Sequence, residues 1–225
     1  MGHHHHHHEF NIRDRMNDHL KDLFRDRLII DKVQRRLPYM FQLAELESSR
    51  AGKVGMEVGS LRERIISSLL IYKFGEKNVE TDLPITEPEI DVKLFGSPIS
   101  IKTITGKEPA GVKLIWTVDA TKARQFLETW HPRFDLILVH INWSSLGGVY
   151  YIPDYVQQRI FDEIGKDKYI KLPKQGTNPR GVEISNEALK EIMTDEETMS
   201  IKIEWKKTNV QYNAFKRWVD LWSEG

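Results

Sequence analysis

The chain contains no cysteine. That excludes a disulfide framework, a thiolate metal site and a cysteine nucleophile. No apolar run approaches the roughly 18 residues that a membrane-spanning helix needs, and no secretory signal is visible, so an intracellular, cytoplasmic location is the expectation. Excess charge is missing too: 33 basic residues balance 33 acidic ones. A passive nucleic-acid coat would be basic, whereas an enzyme acting on DNA can offset a basic groove with an acidic site. Walker loop, GxGxxG, HExxH and GxSxG motifs are absent, as are internal repeats and low-complexity tracts. Histidine is scarce once residues 1–8 are set aside as an expression tag and Glu9-Phe10 as a cloning scar; only His19, His131 and His140 remain. Residues 11–225 are long enough for one large domain or two small ones, with a substantial core.

What is present centres on residues 86–105. Ile90, Val92 and Leu94 alternate with Asp91 and Lys93, and Ile99 and Ile101 alternate with Ser100 and Lys102. Period two predicts half-buried strands. A turn at Gly96-Ser97, with Pro98 opening the second strand, makes them a hairpin. That turn pairs Phe95 with Pro98, Lys93 with Ser100 and Asp91 with Lys102. An acid and a lysine then lie side by side, roughly 4.5–5.5 Å apart at Cβ. The pair reads either as an exposed cross-strand salt bridge or as a cation site with an adjacent ammonium. Six acids against one lysine over residues 76–91 favour the cation site.

Elsewhere, residues 11–36 carry apolar positions at helical spacing, and Pro38 is expected to end that helix before another over residues 39–49. Residues 51–59 hold three glycines and predict a loop presenting Lys53 and Met56. Met56 either packs onto the domain or serves as an apolar wedge between DNA base steps. Ser60, with Glu63 three residues on, has capping-box spacing. It opens a helix with a stripe of Leu61, Ile65, Leu69 and Tyr72, widened by Ile66 and Leu70, that stops at Gly75. Glu63 reads equally as a cap or as a second carboxylate facing the sheet. Strands follow over residues 79–83, 112–118, 134–142 and 149–152, with a helix capped by Asp119 or Thr121 and another from Pro153. Lys166, Lys168, Lys171, Lys174 and Arg180 form a basic loop region, read as solvated surface or phosphate contact. A helix over residues 186–193, a strand over 199–205 and a Trp-bearing helix over 213–222 complete the chain.

The order helix, strand, hairpin, strand, helix, strand over residues 61–142 resembles the core of the PD-(D/E)XK nuclease superfamily. This is a restriction-endonuclease-like α/β (α+β) fold, with helices flanking a mixed sheet and extra helices at both ends. The resemblance implies a catalytic core over about residues 60–142 of a single domain over 11–225. Asp91 matches the family's first acid and Lys102 its lysine. Two positions depart: Ile90 stands where proline is usual, and Ser100 where the second acid is expected. A helix glutamate often contributes in this superfamily, so the resemblance makes Glu63 the second ligand. The implied catalytic set is Glu63, Asp91 and Lys102, with Mg²⁺ on Glu63 and Asp91. A rival set is Asp82, Asp91 and Lys93, since Lys93 shares the polar face of Asp91.

The whole chain resembles Type II restriction endonucleases of this superfamily. That implies Mg²⁺-dependent cleavage of both strands of a short GC-only palindrome, CGCG, by a homodimer on double-stranded DNA. Lys53, Met56, Lys107 and Lys113 are the expected DNA contacts. The alternatives are a structure-specific repair or junction nuclease of the same fold, and a non-enzymatic DNA-binding module.

Overall fold

The computed structural model describes residues 15–50, 56–117, 119–174 and 181–225; the side chains of Arg50, Met56 and Glu57 fall outside that description. Helices α1 (Asp18–Arg25), α2 (Arg27–Arg50) and α3 (Met56–Phe74) come first. Strands β1 (Val79–Glu80), β2 (Val92–Leu94) and β3 (Ser97–Thr105) follow, then β4 (Lys113–Ile115), α4 (Ala120–Thr129), β5 (Asp135–Ile141) and β6 (Leu146–Ile152). The remainder is α5 (Asp154–Ile164), α6 (Lys166–Tyr169), β7 (Ile170–Lys171), β8 (Val182–Ile184), α7 (Asn186–Thr194), β9 (Met199–Glu204) and α8 (Lys216–Ser223). Among these, no helix is long and apolar enough to cross a membrane.

A six-stranded mixed sheet runs β1-β2-β3-β5-β6-β9, and β3 with β5 is its one parallel pair. Helices cover both faces. Ile137, Val139 and Ile141 of β5 meet Leu20, Phe41, Ile66 and Leu70 of α1–α3, while Leu136 and Leu138 meet Ala123, Leu127, Val156 and Leu189 on the other side. Burial on both faces is why β5 reads as a continuous apolar run.

Several expectations need correcting. Pro38 lies inside α2 rather than ending it. Proline removes one intrahelical hydrogen bond, and the burial of Leu37, Phe41 and Ala44 across that point offsets the loss. Helix α3 begins at Met56, so Ser60 is an interior residue and not a cap. Its deepest stripe is Arg62, Ile66 and Leu70, whereas Tyr72 is exposed. The helix is thus rotated about one residue from the expected face, because Arg62 is buried through an ion pair that apolar periodicity cannot register. Residues 112–118 do not join the central sheet; β4 pairs with β8 in a separate three-stranded sheet, β4-β8-β7, and Val118 lies outside the described residues.

The hairpin turn falls at Phe95-Gly96, with φ of 48° and 81°, the two positive values of a type I′ turn. Phe95 tolerates this because its ring stacks on His19 at 3.8 Å and its N–H donates to the Asn78 carbonyl. The register is therefore Val92 to Ile99, Lys93 to Pro98 and Leu94 to Ser97. This is two residues from the expected register, and Asp91 does not face Lys102. A slip of two keeps every side chain on its face, so the buried set Val92, Leu94, Ile99 and Ile101 is as expected.

Next to the opposite edge strand β9, β6 approaches its neighbours closely. A Cβ on Gly147 would lie 2.2 Å from the His140 carbonyl oxygen and 2.6 Å from Nε1 of the buried Trp205. Gly147→Ala is expected to destabilise the fold by roughly 1–3 kcal/mol through overpacking, read as a lower urea midpoint. An unchanged midpoint would contradict that approach.

Candidate active site

Strand β2 is short because it leaves β3 immediately before Val92. Continuing the register would give the Ile101 N–H to Ile90. Instead the Ile101 N–H donates to Asp91 Oδ2 at 2.6 Å, and the Asp91 N–H donates to the Ile99 carbonyl. The carboxylate thus fills the gap where the strands part, and the Ser100 hydroxyl is placed to donate to it as well. Ser100 occupies the position where a second acid was expected; there it supports Asp91 rather than supplementing its charge.

Glu63 reaches the same place from α3. Glu63 and Asp91 line one open cleft of about 430 Å³ with Ser60, Arg64, Ser67 and Thr81. The rotation of α3 that turns Glu63 toward this cleft is held by its neighbour. Arg62 donates to Glu45 Oε1 of α2 at 2.5 Å, and the Trp143 indole donates to the same oxygen at 2.9 Å. No spacing in the chain announces this Glu45 hub, since its partners come from distant segments.

Burial pushes the Glu63 carboxyl up to about 7; the nearby Asp91 charge raises it further and Lys102 opposes the rise. Burial also raises Asp91, against the lowering effects of the Ile101 N–H, Lys102 and Ser100. Two carboxylates held close in partial burial favour a bound cation. Lys102, two residues after Ser100 and on the same face of β3, lines a small cavity with Ser100, Glu89, Trp130 and Arg133, and its charge acts on both Glu63 and Asp91. Glu89 there accepts from the Trp130 indole and from Arg133, a cluster the sequence reading missed.

The rival residues sit differently. Asp82 is exposed between β1 and β2 and does not line the cleft. Lys93 lies opposite Glu80 on one side and Pro98 on the other. Lys107 is exposed. Lys113 is ion-paired to Glu183 at 2.6 Å. Lys53 and the Met56 side chain lie outside the described residues, as does Arg180. No group of three or more His, Cys, Asp or Glu side chains suited to a metal occurs among the described residues. A tetrahedral Zn²⁺ site therefore does not fit, whereas Mg²⁺, which takes one or two carboxylates and fills its remaining positions with water and phosphate oxygens, does.

A family model described as Restriction endonuclease ThaI matches residues 23–224. The chain belongs to the ThaI restriction endonuclease family. No curated protein matches it. A restriction endonuclease is a site-specific nuclease whose partner is DNA, and the six-stranded mixed sheet with flanking helices agrees with a restriction-endonuclease-like fold.

The Glu63 shift has a stability consequence. Its folded pKa of about 7 lies above the ordinary 4.5, so between these values the folded state binds more protons and stability falls as pH rises. In EDTA, Glu63→Gln is expected to gain stability over the parent as pH rises from about 5 to 8, with the two converging at the acid end. Parallel stability–pH curves in chemical denaturation would refute the shift.

Proposed function

We propose that this member of the family is a Type II restriction endonuclease of the PD-(D/E)XK superfamily. It would use Mg²⁺ to hydrolyse one phosphodiester in each strand of a short palindrome, CGCG by the resemblance above. The observation that carries this reading is the convergence of Glu63 and Asp91, from a helix and a parting hairpin, on one open cleft within electrostatic reach of Lys102. Glu63 and Asp91 would hold the cation. When bound, Mg²⁺ supplies Lewis-acid polarisation of the scissile phosphate and a lowered pKa for its water.

The protein's own contribution is placement. The Ile101 N–H and Ser100 fix the Asp91 carboxylate. The Arg62–Glu45 pair fixes the rotation of α3, and with it Glu63. The Lys102 ammonium, on the rigid nine-residue β3, would orient the attacking water and offset charge on phosphorus as the water oxygen bonds and an ester P–O bond breaks. Lys53, Lys107 and Lys113 would contact phosphates, with Lys113 exchanging Glu183 for DNA, and Met56 would enter the minor groove as a wedge. Since a palindrome presents each strand identically, a two-fold homodimer would place one site on each strand.

Plasmid digestion tests the reading. With Mg²⁺ the protein should give discrete fragments, and EDTA should abolish them. Lys102→Ala and Asp91→Asn should slow cleavage by roughly 10²-fold or more, while Lys93→Ala stays within a few-fold of the parent. Loss with Lys93→Ala and not with Lys102→Ala would move the site to Asp82, Asp91 and Lys93. Failure of the folded protein to cut any DNA would reject the nuclease reading for this chain.

A further inference from the structure

Helix α8 is anomalous. None of its residues is buried, yet it carries Trp218, Val219, Leu221 and Trp222, with Phe215 just before it. Trp222 is 89 % exposed, Phe215 73 % and Trp218 53 %. Eight residues are too few for a helix that is stable alone in water, and nothing among the described residues covers this one.

The same molecule also leaves an apolar groove open. It runs between α2 and α3, lined by Val33, Leu37, Met40, Ile65, Leu69 and the 58 % exposed Tyr72. Its volume of about 130 Å³ suits one or two inserted side chains.

The geometry points to a second copy of this chain as the occupant. We propose that α8 of each protomer docks in the α2–α3 groove of its partner, a reciprocal and self-complementary exchange. Two observations favour exchange over folding back. The tail is pinned where it leaves the body, because the Gln42 side chain donates to the Thr208 carbonyl and accepts from the Thr208 N–H. Gln42 is two residues from Met40, hence roughly 200° around α2, so the tail departs on the side facing away from the groove. Beyond that anchor, residues 209–215 span at most about 25 Å, enough to reach outward to a neighbour.

The area also suffices. Three aromatics at these exposures offer on the order of 400 Å² per helix. Two helices and the matching groove surface bury on the order of 1,600 Å², a standard stable interface. The inference rests on the homodimer reading above and adds its interface.

The absence of cysteine allows a clean test by oxidative cross-linking of Tyr72→Cys and Trp222→Cys, both exposed positions. Mixing the two single variants should give a covalent heterodimer on non-reducing gels. A chain carrying both changes that instead closes into a cross-linked monomer would overturn the proposal in favour of folding back, and no cross-link in either format would overturn it outright. In sedimentation equilibrium, Trp218→Ala with Trp222→Ala, and separately Tyr72→Glu, should each weaken the dimer by roughly 10²-fold. A dimer unaffected by both overturns the helix assignment and leaves the homodimer reading standing, whereas a parent protein monomeric at every concentration overturns both. The plasmid digest reads the nuclease assignment independently of either result.

Discussion

The architecture of the candidate site depends on one hydrogen bond, from the Ile101 N–H to Asp91 Oδ2. Where β2 peels from β3, the ladder would otherwise leave an amide without a partner, and an unpaired buried amide is costly. A side-chain carboxylate replaces the missing carbonyl. The substitution lets the two strands diverge, ends β2 after three residues and opens the cleft. It also anchors an acid at the point of divergence. A carboxylate has capacity for several partners, so the same group that closes the backbone accounting can also hold a cation.

Glu63 depends on a second constraint. Helix α3 carries no strong apolar face of its own, and its buried side includes a guanidinium. Burial of Arg62 is tolerable only because Glu45 neutralises it, and Glu45 in turn accepts from Trp143 and lies 3.7 Å from Lys207. Segments from α2, α3, the β5–β6 connection and the tail after β9 thus meet at one carboxylate. Breaking such a pair on one side leaves an uncompensated buried charge, so the pair fixes helix rotation more sharply than apolar packing would. The adjacent glutamate inherits that precision. Helix α3 therefore presents a base, Arg62, inward for structure and keeps the next residue, the acid Glu63, at the cleft.

Much of this was legible in the chain. Alternation identified the hairpin strands, residue types marked the stop of α3 at Gly75 and the helix start at Pro153, and continuous apolarity identified β5 as a doubly covered strand; the cap left open between Asp119 and Thr121 is Asp119. The resemblance grouped Glu63, Asp91 and Lys102; the structure brings Glu63 and Asp91 to one cleft and puts Lys102 in a neighbouring cavity. Illegible were the features set by partners distant in sequence. The turn shifted because Phe95 adopts a positive φ once His19 is stacked beneath it, and nothing near Phe95 signals His19. Pro38 persisted within a helix because both flanks are buried. The strand over residues 112–118 joined a different sheet, a choice made by β8.

The sequence by itself determined which faces are apolar, because side-chain period and backbone geometry are local properties that survive a two-residue slip. It likewise determined the carriers of charge available for chemistry and the absence of thiol alternatives. Tertiary structure alone decided that Asp91 is bonded to a backbone amide rather than paired with Lys102. It also decided that Glu63 faces the cleft and that the C-terminal tryptophans face solvent. Each of these depends on whether a polar or apolar group finds its partner within the folded chain. That is a question of long-range proximity, which no local pattern encodes.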